Sequence, residues 1–248
     1  MALAVYLGKR SSGKEDWDVG GRNLPLYVIV GTQYASAVGG GVLVAHVGIG
    51  YSSGWATVTY GLLVGVGFLL LSFMARWLRE QEFTTIPDII VRFYGDDKSI
   101  IIISALMAII APLAATATSL VAFGKLFSSI TGIPINTLVI VFALVNVLFV
   151  LPAGLKSVAW TDFLFGCIMV ATTIFTMFYA VNFAGGWSAV LASVPPNISS
   201  FPGGLVSVGW FTLFLWSFAL IPGTLTTQMY YQRIYAINDA RDARKSLI

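Results

Sequence analysis

Residues 24–46 read LPLYVIVGTQYASAVGGGVLVAH. No Asp, Glu, Lys or Arg interrupts them, and at about 1.5 Å of rise per residue they are long enough to cross the roughly 30 Å hydrocarbon layer of a bilayer as a helix. Five further apolar stretches follow, over about 52–78, 99–127, 134–152, 158–184 and 204–227. Across all 248 residues, 57% are hydrophobic and only 10% charged, with a mean hydropathy of +0.85. A soluble domain carries about 25% charged residues, so the outer surface of this chain is expected to meet lipid. A membrane β-barrel would show segments of about ten residues with alternating polarity, and none occurs. The expected fold is an all-α, polytopic transmembrane helix bundle forming a single domain over 1–248.

The connections support that division. Residues 1–8 read as the tail of a preceding helix, and turn chemistry or charge separates each later span. With loop 9–23 on the cytoplasmic side, alternation of the spans puts thirteen of the fourteen Lys and Arg residues there, Lys125 being the exception. That bias is the one expected of a multi-pass protein of the cell membrane, and it sends the tail from 228 to 248 to the cytoplasm too. Thr84-Thr85-Ile86-Pro87-Asp88 offers cap residues and a first-turn Pro and Asp, with Gly95 as a stop, so a short helix is expected along the cytoplasmic face. A second is expected over 238–247, with Asn238 as its cap.

Several function classes are excluded by what is missing. The net charge of +3 is scattered between spans, with no basic stripe interleaved with aromatics, so nucleic acid is not an expected partner. Cys167 and His46 are each the sole residue of their kind. No disulfide framework or histidine metal cluster can form, and no nucleophile stands beside a base, so an enzyme is not expected. Ten of the eleven acidic residues lie outside the spans; only Asp162 enters one, as an interfacial anchor or as part of an ion path.

Two features point inward. Gly39-Gly40-Gly41, in the first span, either allows close helix packing or weakens the helix enough to break it. A break frees main-chain carbonyls, which survive at this depth only beside protein or a polar cavity. The sixth span carries Pro222-Gly223, followed by Thr224, Thr226 and Thr227, and proline removes a helix donor. Two interrupted segments in corresponding places are the pattern of inverted-repeat transporters. Free carbonyls around 35–38 and the hydroxyls of Thr32, Ser36, Thr224 and Thr226 are neutral oxygens, which suit a small monovalent cation such as sodium.

Four stretches together resemble the sodium:solute symporter family. They are Gly21-Arg22-Asn23-Leu24-Pro25; Thr85-Ile86-Pro87-Asp88 with Arg92-Phe93-Tyr94-Gly95; Gly154-Leu155-Lys156-Ser157-Val158-Ala159-Trp160-Thr161-Asp162; and Gln228 with Gln232-Arg233 and Ala240-Arg241-Asp242-Ala243-Arg244. The third is the most specific. The resemblance implies the first five-helix repeat of a leucine-transporter-like fold plus the first helix of the second repeat. It implies that sodium is co-transported, held by the backbone carbonyls of Ala35 and Val38, and that Asp162 lies on the ion path. The candidates to meet the solute are Gln33, Ser36, Gly39, Gly40, Gly41, Gly223, Thr224 and Thr227. Glycine over the stretch that is polar in sugar-transporting relatives, and Gly223 at their gating position, disfavour a sugar. Phe165 stands where the family often has Gln.

The resemblance also implies helices that this chain does not contain, so a C-terminal half is an expected partner beside the lipid bilayer and a small-molecule solute. The expected function is sodium-coupled symport of a small polar organic solute, an amino acid or carboxylate. The alternative is a truncated membrane protein, inactive or regulatory, that does not transport by itself.

Overall fold

The computed structural model describes residues 14–150 and 154–248. The expected helix tail over 1–8 and the end of the fourth span at 152 lie outside the described residues. Within them the chain is helical: α1 (Lys14–Val19), α2 (Leu26–Ala37), α3 (Gly40–Ser53), α4 (Ala56–Glu80), α5 (Ile86–Tyr94), α6 (Lys98–Thr131), α7 (Ile135–Val150), α8 (Gly154–Phe183), α9 (Trp187–Ser193), α10 (Pro196–Ser199), α11 (Trp210–Thr226), α12 (Gln228–Ala236) and α13 (Ala240–Lys245). Four helices are long and apolar enough to cross a membrane: α4, α6, α8, and α11 taken with α12. The bent pair α2 and α3 makes a fifth, and α7, apolar over 16 residues, is shorter. The molecule is an all-α, polytopic helical membrane bundle.

The first span is divided. After Ala37 the backbone leaves helical geometry at Val38 (φ −106°, ψ 46°) and Gly39 (φ −64°, ψ 163°), and α3 sets off at 59° to α2. Glycine is about 1 kcal/mol less favourable than alanine in a helix interior, so consecutive glycines make this the weakest point of the span.

The last span departs from expectation. The helix runs through Pro222 and Gly223 and gives way at Thr227, whose backbone is extended (φ −81°, ψ 113°). Pro222 deprives the Phe218 carbonyl, one turn back, of its usual donor, and beyond it the hydroxyls of Thr224, Thr226 and Thr227 donate back to the carbonyls of Leu220, Pro222 and Gly223 (2.9, 2.9 and 2.6 Å). The residues from Gln228 are not a polar tail. In α12 they bury Tyr230, Tyr231, Ile234 and Tyr235 against α2 and α4.

The core gathers where α2, α4, α8 and α12 meet, with Leu24, Val28, Ile29, Leu71, Leu78 and Ile234 almost or fully buried. Leu24 also receives Asn238 N–H and donates its own to Ala236 (both 3.0 Å), an isolated bridge pinning the approach to α2 onto the end of α12. Small residues permit the closest crossings, as packing in lipid requires. A Cβ at Gly31 would lie 2.4 Å from the Phe163 ring, and one at Gly67 would lie 2.6 Å from Thr224 Cβ. The faces of α6 and α7 remain largely exposed and apolar (Ile102, Leu106, Leu113, Leu144 and Leu148, for example), which is compatible with contact with acyl chains.

The segment 79–98 carries the short helix α5. Asp88 accepts from Thr84 and Thr85 N–H (2.9 and 2.8 Å), fixing its first turn, and Gly95 ends it with φ 80°. Helix α13 is capped by Asp239, which accepts from Arg241 N–H, rather than by Asn238. Asn238 instead accepts from the N–H of Asp239 (2.8 Å).

Candidate functional site

A cavity of about 630 Å³ opens between α2, α3, α4, α11 and α12. Both interruptions border it, the first through Val38 and the second through Thr227. The carbonyls of Ala35 and Val38 accept no hydrogen bond among the described residues: Val38 N–H turns back to Tyr34, while Val42 and Leu43 N–H go to Gly39. An unsatisfied main-chain oxygen in a low-dielectric interior is costly unless something binds it. Two such oxygens three residues apart are what a desolvated monovalent cation can use. No group of three or more His, Cys, Asp or Glu that could hold a metal occurs among the described residues.

The cavity walls are mainly apolar and aromatic, with Val30, Val64, Phe68 and Ala219 beside Tyr60 and Tyr230. Near its α3 side the His46 ring meets Tyr60 edge-on at 4.9 Å, and Tyr60 meets Trp216 at 5.3 Å. His46 Nδ1–H donates to the Val42 carbonyl (2.8 Å), which fixes the ring's orientation.

Of the solute-site candidates, Gln33, Gly223, Thr224 and Thr227 line the cavity. Gly223 has no neighbour where a Cβ would stand, so its surface is open space. The others are placed differently. A Cβ at Gly41 would meet Ser119 Oγ of α6 at 3.3 Å, and one at Gly39 the same atom at 3.9 Å, so here the glycines also serve packing of α3 on α6. Gly40 begins α3 beside them. Ser36 accepts from the guanidinium of Arg233.

Arg233 was not legible as a site residue, yet it organises this end of the cavity. Its side chain is 7% exposed. Nε–H donates to Thr32 Oγ1 (3.0 Å), one terminal nitrogen donates to Met229 O (2.9 Å), and the other reaches Ser36 and Asp162 Oδ2 (3.3 Å). Thr32 donates onward to the same Asp162 oxygen (2.8 Å). Asp162 is thus the counter-ion of a buried arginine. The neutral oxygens of Thr32 and Ser36 are engaged in this network. The signal that could have revealed it is the expense of an intramembrane charge, which demands a partner. Asp162 is the sole acidic residue within a span, and Arg233 lies among Tyr230, Tyr231, Ile234 and Tyr235, which α12 buries with it.

A second set of bonds ties α12 to α5. Gln228 Oε1 accepts from Ile86 N–H (2.8 Å), and its amide nitrogen donates to Thr84 O (3.4 Å). Beside it Arg22 donates to the carbonyls of Glu82 (2.6 Å) and Phe83 (3.3 Å), and Arg79 donates to Ile237 (2.6 Å).

Comparison with known proteins identifies the family. The model of the sodium:solute symporter family matches residues 17–248. The high-affinity proline transporter PutP of Bacillus subtilis (strain 168) is 26% identical over 260 residues, covering 99% of this chain and 54% of the relative. A sodium/proline symporter of Staphylococcus aureus is 26% identical over 227 residues, covering 87% and 44% respectively. The chain spans about half the length of the curated relatives it matches. With the family model covering nearly all of it, the chain belongs to the sodium:solute symporter family.

Proposed function

We propose that this chain forms the first half of a sodium-coupled symporter for a small amino acid, proline being the solute suggested by its relatives. The observation that carries the reading is the shared cavity: Val38 at one helix interruption and Thr227 at the other face the same 630 Å³ space. In this reading sodium, a co-transported substrate, is held by the carbonyls of Ala35 and Val38. Asp162, with Arg233, lies on the path the ion takes from that site. The solute sits against Gln33, Gly223, Thr224 and Thr227, with Ser36 and Gly39, Gly40 and Gly41 forming the adjoining wall. Sodium requires further oxygen ligands, which a second half of the transporter would supply.

In the same reading the chain is a single transmembrane domain of the cell membrane, with loop 9–23 and residues 228–248 on the cytoplasmic side. Sodium-linked accumulation follows from occupancy. The ion neutralises the two carbonyl dipoles and presents its charge to the solute carboxylate, so each bound species strengthens the binding of the other. The test is uptake of radiolabelled L-proline into proteoliposomes containing the complete gene product. An imposed sodium gradient should drive accumulation at least about tenfold above a choline control, a difference of about 1.4 kcal/mol in driving force. Equal uptake in the two media would sink the proposal.

A further inference from the structure

Gln33 has a buried acceptor that nothing among the described residues uses. The residue is 5% exposed and lies in the α2 wall of the cavity. Its amide nitrogen is tethered to the Tyr230 carbonyl of α12 by a long bond of 3.5 Å. Its carbonyl oxygen is buried with no hydrogen-bond partner among the described residues. An amide oxygen has two lone pairs, and a buried one without a donor calls for an explanation such as a ligand group.

The rest of the lining narrows what that donor is. No Asp, Glu, Lys or Arg borders the cavity among the described residues. The hydroxyl protons of Thr224 and Thr227 are committed to the carbonyls of Leu220 and Gly223, leaving only their lone pairs to a guest. A plain carboxylate would leave the Gln33 oxygen orphaned. A zwitterion carries its own counter-charge and brings N–H donors. We propose that the Gln33 carbonyl oxygen accepts from the ammonium of the bound solute, so that the site selects amino acids over carboxylates of the same shape without the amine. The inference rests on the symport reading above and adds the residue by which the site recognises the solute's amine. It also gives Gln33 a second effect. Accepting from the ammonium polarises the amide and strengthens its bond to Tyr230, so a filled site draws α12 toward α2.

The test is competition for sodium-driven L-proline uptake by the complete protein in proteoliposomes. The competitors are unlabelled proline and tetrahydrofuran-2-carboxylate, in which a ring oxygen replaces the N–H group. Wild-type protein should need about 100-fold more of the oxygen analogue for half-inhibition, because a site built to receive a donor rejects a ligand lacking it. Gln33→Met, which keeps the volume and removes the acceptor, should shrink that ratio to about threefold; Gln33→Glu, which keeps an acceptor, should preserve it. If Gln33→Met does not fold, Gln33→Asn, which withdraws the oxygen by one methylene, is read the same way. Equal competition by both compounds in the wild type, or an unchanged ratio in a transporting Gln33→Met, overturns the inference alone. Absence of sodium-driven uptake in the wild type overturns the symport reading and this inference with it.

Discussion

Arg233 and Asp162 form an ion pair at 3.3 Å between α12 and α8, and Thr32 of α2 closes the triangle by accepting from the first and donating to the second. The two partners are unequal: the arginine side chain is 7% exposed and the aspartate 24%. Asp162→Ala therefore strands a buried cation, and unfolding stability in detergent should fall by about 2–4 kcal/mol, moderated by the exposure of Asp162. Arg233→Met leaves a carboxylate that still reaches water and Thr32, and should cost less. The Asp162→Ala, Arg233→Met double variant should be more stable than Asp162→Ala alone. A double variant no better than Asp162→Ala would show that the pair is not coupled.

Gln228 is the hinge-pin between α12 and α5, because its side-chain oxygen caps the first turn of the short helix through Ile86 N–H. Gln228→Ala removes one hydrogen bond of about 1 kcal/mol. Hydrogen exchange of the amides over 84–94 should then quicken about fivefold while that of α8 stays unchanged. Equal protection before and after substitution would dissociate the two helices.

At the crossing of α4 and α11, Gly67 leaves no room for a side chain, as its Cβ would stand 2.6 Å from Thr224 Cβ. Gly67→Ala should destabilise by about 1–3 kcal/mol through overpacking, despite alanine's better helix propensity. Thr224→Gly in the same background should restore part of the loss in a thermal melt.

Gly223 offers the opposite case, with open space where its side chain would be. Gly223→Leu should leave the melting temperature unchanged or slightly raised, since leucine favours helix by up to about 1 kcal/mol over glycine. It should also fill part of the cavity and lower sodium-driven uptake at least about tenfold, a transport defect without a folding defect.

Hydropathy made the membrane bundle readable, because burying a span in lipid leaves a continuous apolar signature that needs no tertiary context. The weak point at Val38 and Gly39 was likewise readable, since the cost of consecutive glycines is local. The second interruption was misplaced by one turn: Pro222 announces a lost donor, but one lost donor does not end a helix, and this one runs on to Thr226 before the backbone turns extended at Thr227. Arg233 was unreadable for a related reason. Counted by charge it belongs with the basic loops, and only the approach of α2 and α8 supplies the Thr32, Ser36 and Asp162 atoms that let it stay buried. Gln33 was readable as a residue to meet the solute, but that its amide oxygen is left without a donor among the described residues was not.

The 59° bend gives the two halves of one segment different neighbours. Helix α2 is clasped by α8 and α12, whereas α3 leans on α6 and α4. Sliding of one group past the other would focus on Val38 and Gly39, where the Ala35 and Val38 carbonyls hold no bond among the described residues that must first be broken. A guest atom gripped by those two carbonyls would act as a splint across the joint. Its departure would restore the joint's freedom, so that the mechanical stiffness of the segment reports whether its cargo is aboard.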